Sequence, residues 1–501
     1  MVNKNSQELY NDFKALMQKA ADLNNSAALL SWDQETYMPP KSADIRGQQL
    51  ATLSTLAHEM LTGGELEKLI GGLSAAEGLD EEQLANVRIA ADDFEKNKKL
   101  PSSFVERMSR LTSDCFNAWI AARKQNDFQV FAPLLGDMVK LKREQAELYG
   151  YKDHPYDALI DDYEKGATVA MLDPLFARIR EQLPPLLEHI RNSKQVSDNC
   201  FHQFFPKQGQ EDFSYAVITA MGYDLFAGRQ DYSEHPFTTS FSPEDVRITT
   251  RVDEQNFAFM LWSTIHEAGH ALYEQGLPVA QYGMPLGSPA SLSIHESQSR
   301  FWENCIGRGR DFWSHFYLQL QSIFPAQLGN VSLETFYNAM NRVSPSLIRT
   351  EADEVTYHFH VMIRYEIEKA LISGKLDAKD LPAAWNEQYK KYLGITPEDD
   401  KRGVLQDVHW SHGSFGYFPT YSLGSFYAAQ FYDKARQALP DLAQSVKAGQ
   451  FGTLLKWLRV NIHQHGRRYT SEELCERVTG SKLDTNYFIN YVNEKYRAIY
   501  V

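Results

Sequence analysis

Apolar residues recur at helical rather than alternating spacing along most of the chain. Leu9, Phe13, Leu16 and Met17 lie three and four residues apart and predict one apolar helix face. Pro39-Pro40 punctuates the chain beyond them. Ser102 precedes another amphipathic run, and Thr470-Ser471-Glu472-Glu473 reads as a capping box. One stretch departs from this period. His235 to Phe241 and Arg247 to Val252 are rich in Thr and in β-branched or aromatic residues, with a turn-like Ser242-Pro243-Glu244-Asp245 between them. They predict a small hairpin or sheet. Asp253 is then expected to cap a long helix containing Phe257, Met260, Leu261, Trp262 and Ile265. With no repeat, low-complexity tract or linker, the pattern reads as a mainly α body with one minor sheet. It forms one domain over residues 1–501, with room for two lobes but no boundary between them.

Composition narrows the function classes. Of 501 residues 43% are hydrophobic, which excludes intrinsic disorder. The net charge of -14 argues against nucleic acid or an anionic membrane as partner. Cys115, Cys200, Cys305 and Cys475 are far apart, so neither a disulfide framework nor a cysteine metal knuckle is expected. The polar N-terminus lacks the apolar core of a signal peptide, and no run approaches the ~18 apolar residues of a membrane span. The expected location is cytoplasmic.

The long helix carries His266-Glu267-Ala268-Gly269-His270, an HExxH motif. Histidines at i and i+4 share a face and can reach one metal ion. Glu267 is turned away by roughly 100° and suits the role of a general base. A catalytic zinc site needs a third protein ligand and an open position. No histidine follows at metzincin spacing. The next helical stretch, Ser291 to Glu303, offers Glu296, Glu303 and His295, and the early position favours Glu296.

Further blocks accompany the motif. They are Ser31-Trp32-Asp33-Gln34-Glu35-Thr36-Tyr37-Met38-Pro39-Pro40, His235-Pro236-Phe237, Asp245-Val246-Arg247-Ile248-Thr249, Ile348-Arg349-Thr350-Glu351-Ala352-Asp353 and Gly403-Val404-Leu405-Gln406-Asp407-Val408-His409-Trp410. With HEAGH and IHESQSRFWEN they make the chain resemble the M32 family of zinc carboxypeptidases, over most of its length. The resemblance implies a helical, cup-like body with a deep groove and a small β-sheet beside the HExxH helix, similar to neurolysin and angiotensin-converting enzymes among the gluzincins. It implies a cytosolic homodimer that removes single residues from the C-termini of short peptides. It assigns His266, His270 and Glu296 to the metal and Glu267 to the general base. Zn is the expected ion, with Co or Mn as alternatives for this ligand set.

A carboxypeptidase must read a free carboxylate, and arginine does so with a bidentate fork. Arg349 is the expected clamp, and Arg247 is expected in the groove wall that limits peptide length. The plain alternative is a salt bridge, of Arg349 with Glu351 or Asp353 and of Arg247 with Asp245. An oxyanion needs donors, and His409, His412 and Tyr421 are candidates within a Gly- and aromatic-rich segment. Asp353 is a possible acceptor for a ligand histidine; His235, Trp32 and Asp33 read as structural, the last two for packing and capping. An oligopeptidase on the same scaffold is the competing function. A silent binding protein with a structural metal is disfavoured, since structural zinc sites are usually closed and cysteine-rich.

Overall fold

In the computed structural model, which describes residues 5–501, helix follows helix along the chain and strand is confined to one small sheet. The N-terminal helix, Ser6–Thr36, starts at an Asn5 cap and buries Tyr10, Phe13 and Leu16. That face packs with helices Gly64–Ser74 and Glu81–Lys98 into a small core of its own, completed by Met284. A far larger cluster forms the main body. Ion pairs link the two, Arg467 with Asp93 and Lys96 with Asp161 and Asp162 among them. The helix expected after Ser102 runs over Ser102–Gln125, with Pro101 at the cap position. The box at Thr470 forms as expected, starting helix Ser471–Thr479.

The sheet has three strands, β1 (Gly228–Tyr232), β2 (Thr238–Ser242) and β3 (Asp245–Thr250), in the order β1-β3-β2. The hairpin β2–β3 was legible. Its partner β1, parallel to β3 with Arg229 opposite Arg247, was not. Gly-Arg-Gln-Asp-Tyr has little intrinsic strand preference, and its pairing is imposed from outside. His235-Pro236-Phe237 precedes β2 and pins its entry: Phe237 N donates to Thr249 Oγ1 (2.9 Å) and Thr249 N to Phe237 O (2.8 Å). This agrees with the structural reading of that block. Asp33 holds Arg46 at 2.7 Å rather than capping a helix, and buried Trp32 packs under Arg247.

The motif helix is Phe257–Glu274. Its cap is Asn256, whose side chain accepts from Ala258 N. Asp253 instead accepts from Gln255 N in the preceding turn. After a loop, helix Leu292–Arg300 begins at the Ser291 cap and continues as a π-helix, Phe301–Gly307. A long helix, Phe418–Ala438, lies on its other side. Among the described residues no helix is long and apolar enough to cross a membrane.

Candidate metal centre and active site

Two glycines let three helices meet. A Cβ on Gly269, inside the HExxH motif, would lie 2.5 Å from Ser299 Cα, so the motif helix and Leu292–Arg300 touch backbone to backbone. A Cβ on Gly424 would lie 2.6 Å from Glu296 Cβ, so helix Phe418–Ala438 closes on the same segment from the far side. Real Cβ atoms essentially never come so close.

At this crossing His266, His270 and Glu296 offer ligand atoms that all lie within 4.8 Å of one another. Glu296 Oε2 is 3.7 Å from His266 Nε2 and 3.5 Å from His270 Nε2. Every other polar atom of the trio is already occupied. Glu296 Oε1 accepts from Arg300 Nε at 2.6 Å. His266 Nδ1 is 2.9 Å from Glu303 Oε2. His270 Nδ1 is 2.6 Å from His295 Nδ1, and His295 Nε2 is 2.8 Å from Glu274 Oε1. Two imidazole nitrogens and one carboxylate oxygen remain pointed at a common centre, a donor set that suits a catalytic zinc-type ion. Burial, with His295 alongside, pushes the His270 imidazole down to about 3, so it is neutral and able to ligate. Burial opposes the charge of Glu296, but Arg300 and the histidines hold it well below the usual carboxylate range.

Glu303 and His295, weighed from sequence as metal ligands, therefore stand one layer out, each against a ligand histidine. Asp353 is not such an acceptor: its carboxylate takes the Ser344, Val355 and Thr356 N–H groups. Glu303 is aimed by the π-helix and held by Arg300 and by Arg308 Nη2 at 3.0 Å. The π-helix is braced by the C-terminal helix Asn486–Ile499, where Tyr491 OH donates to Asn304 O at 2.8 Å. Glu303→Gln is expected to weaken metal affinity by about 10- to 100-fold, read by chelator competition. Unchanged affinity would remove Glu303 from the ligand-orienting shell.

Glu267 is buried beside the trio, and its carboxylate is not among the converging atoms. Thr238 of β2 donates its hydroxyl to Glu267 Oε2 at 2.6 Å. Burial raises the Glu267 carboxyl pKa against the opposing effects of His266 and Thr238, which favours proton exchange closer to neutrality.

On the side of helix Phe418–Ala438, Arg349 is buried and tied to Asp407, not to Glu351 or Asp353. Its Nε and Nη2 lie 3.0 and 2.9 Å from Asp407 Oδ1, and Nη1 donates to Tyr357 OH at 3.1 Å. Arg364, fully buried, takes the other oxygen at 2.7 Å through Nε. One carboxylate faces two guanidinium groups, so one positive charge stays uncompensated. Tyr357 connects this cluster to the metal trio, since Arg300 lies 4.7 Å from its ring centroid.

The structure separates the two candidate histidines. His409 Nε2 is 3.2 Å from Tyr421 OH, one turn before Gly424. Burial pushes His409 down to about 3, so its ring is neutral. His412 instead faces the ring of Phe116. Arg247 pairs with Asp245 at 2.9 Å through Nε and lies over the rings of Trp32 and Phe241. Sequence reasoning missed Tyr357, Asp407 and Glu274 as residues of the site. Glu274 alone had a local signal, since His266, His270 and Glu274 recur every four residues on one face.

A buried carboxylate next to a two-histidine, one-glutamate donor set fits a metal-dependent hydrolase. The comparisons narrow that class. Residues 12–496 match the family model described as Carboxypeptidase Taq (M32) metallopeptidase, and the chain belongs to this family of metallocarboxypeptidases. It is 42% identical to thermostable carboxypeptidase 1 of Thermus thermophilus, over 98% of this chain and 99% of that one. It is 39% identical to carboxypeptidase 1 of Bacillus subtilis, over 98% of both. The crystal structure of an M32 carboxypeptidase from Deinococcus radiodurans superposes with a TM-score of 0.96 at 39% identity, covering 98% of this chain and 99% of that one. The mainly α fold and the carboxypeptidase activity expected from sequence thus stand, and nothing supports the oligopeptidase alternative.

Proposed function

We propose that His266, His270 and Glu296 hold one zinc ion, with cobalt and manganese suited to the same donors. When bound, such an ion supplies Lewis acidity at the scissile carbonyl. Glu267 takes a proton from the attacking water and passes it to the leaving amine. Thr238 fixes one carboxylate oxygen and leaves the other for that transfer. Tyr421, kept protonated by burial, donates to the developing oxyanion, and His409 orients its hydroxyl. His412 has no part in this step. Arg349 receives the C-terminal carboxylate, and Arg247 closes the groove wall beside Phe241. A cytoplasmic homodimer acting on short peptides completes the proposal on family resemblance; light scattering reads the oligomer and metal analysis of the purified enzyme reads the ion.

The observation that carries the exopeptidase geometry is the uncompensated positive charge of Arg349 and Arg364 around Asp407. Buried cations without a full complement of anions favour an anionic ligand. A peptide and its C-terminally amidated twin provide the test. The free acid should lose residues stepwise from its C-terminus, with the amide slower by about 10²-fold or more. Equal cleavage of both would overturn the clamp.

A further inference from the structure

Edge strand β2, the N-terminal helix and the end of the motif helix enclose a cleft of about 520 Å³. It lies on the β2 side of the motif helix, whereas Arg349 and Tyr421 lie beyond Leu292–Arg300, on the side of helix Phe418–Ala438. Thr238, which holds Glu267, lines it together with Phe241 and Asn25.

Glu274 opens into this cleft, one helical turn past His270. Its side chain keeps 14% exposure, and only Oε1 is engaged, by His295 Nε2 at 2.8 Å. Oε2 has no partner among the described residues. His295 in turn sets its Nδ1 2.6 Å from His270 Nδ1, so its contact with Glu274 is through Nε2 alone. The other charged residues lining the cleft, Asp93 and Arg467, are paired through two contacts of 2.8 and 2.5 Å. Glu274 is thus the one charged residue among the described residues lining the cleft that has no lysine or arginine partner.

The site is asymmetric across the metal trio, with a surplus cation near Arg349 and a carboxylate without a lysine or arginine partner at Glu274. We propose that Glu274 is a specificity-determining residue, whose free Oε2 receives an ammonium group of the peptide on the amino side of the scissile bond. The ammonium is the α-amino group of a very short peptide or a lysine side chain of a longer one. Neutral Thr, Ser and Asn groups elsewhere in the cleft accept the backbone without choosing among side chains. The inference rests on the binding direction proposed above.

Three substrates test it: a free tripeptide, its N-acetylated twin, and an N-acetylated peptide with lysine in place of a neutral residue upstream of the scissile bond. Each is measured with the metal-loaded wild type and with Glu274→Gln. The wild type should prefer either ammonium-bearing peptide over the acetylated neutral one by about tenfold, through KM. Glu274→Gln should bring that ratio close to one, and Glu274→Asp should restore part of it. Preference for the free tripeptide alone identifies the α-amino group; preference for lysine as well extends recognition to side chains. A purely structural role behind His295 would lower all three rates together and leave the ratio intact, which would overturn the proposal. So would a wild-type ratio near one. Failure of the carboxypeptidase geometry itself would show separately, as internal cleavage of the acetylated peptide.

Discussion

Glu267→Gln is expected to lower kcat by on the order of 10³- to 10⁴-fold while the protein keeps its metal. The substitution is nearly isosteric. The Thr238 hydroxyl, 2.6 Å from Glu267 Oε2, can donate equally well to an amide oxygen, so the side chain should stay in place. None of the atoms that converge on the metal position belongs to Glu267, which is turned by about one residue's rotation from His266. What disappears is a group able to accept a proton from water and return it to the leaving amine. Turnover on a free-acid peptide and metal content, measured on the same preparation, separate the two effects. Wild-type turnover with full metal would remove Glu267 from the reaction.

Gly424→Ala is the second large effect, and it comes from packing. The added methyl group would sit 2.6 Å from Glu296 Cβ, an atom fixed by its own backbone. The neighbour cannot swing aside, so the two helices must part. Glu296 and Tyr421 face that boundary, and their displacement should reduce metal affinity and kcat together, by on the order of 10²-fold for a shift near 1 Å. Overpacking of this kind also costs about 1–3 kcal/mol of stability. Gly452→Ala is the matched control. Nothing lies within 4 Å of a Cβ there, so its effect should stay within about 0.5 kcal/mol and leave metal binding alone. Equal behaviour of the two variants would show that the close approach of helix Phe418–Ala438 does not position Glu296.

The contrast between these residues explains what could be read from sequence. The motif helix, the β2–β3 hairpin and the Thr470 box depend on neighbours a few positions away, and periodicity or capping chemistry carried them. The metal trio needed one long-range step, from His270 to Glu296, which resemblance rather than spacing supplied. Strand β1 was hidden because Arg229, Gln230 and Asp231 have no strand preference without β3 beside them. The partner of Arg349 was hidden because Asp407 is far along the chain, whereas Glu351 and Asp353 were near in sequence and wrong. His409 and His412 look alike in sequence, and only their tertiary neighbours, Tyr421 and Phe116, tell them apart. Glu303 was weighed as a ligand because its chemistry fits; its place behind His266 follows from a helix type that no local pattern announced.

That helix type sets a rule about length. A π-turn is an α-helix with an extra residue accommodated in one turn. Loss of one residue between Phe301 and Gly307 would let the segment relax into ordinary helix, leaving the chain beyond it nearly in register but turning side chains between the deletion and the former wide turn by up to roughly 100°. Glu303 would then leave its place behind His266, whatever amino acids remained. Substitutions in this stretch can be absorbed by repacking, but a single-codon deletion cannot. The interval from Glu296 to Arg308 behaves as a ruler, in which residue number is constrained more tightly than residue identity.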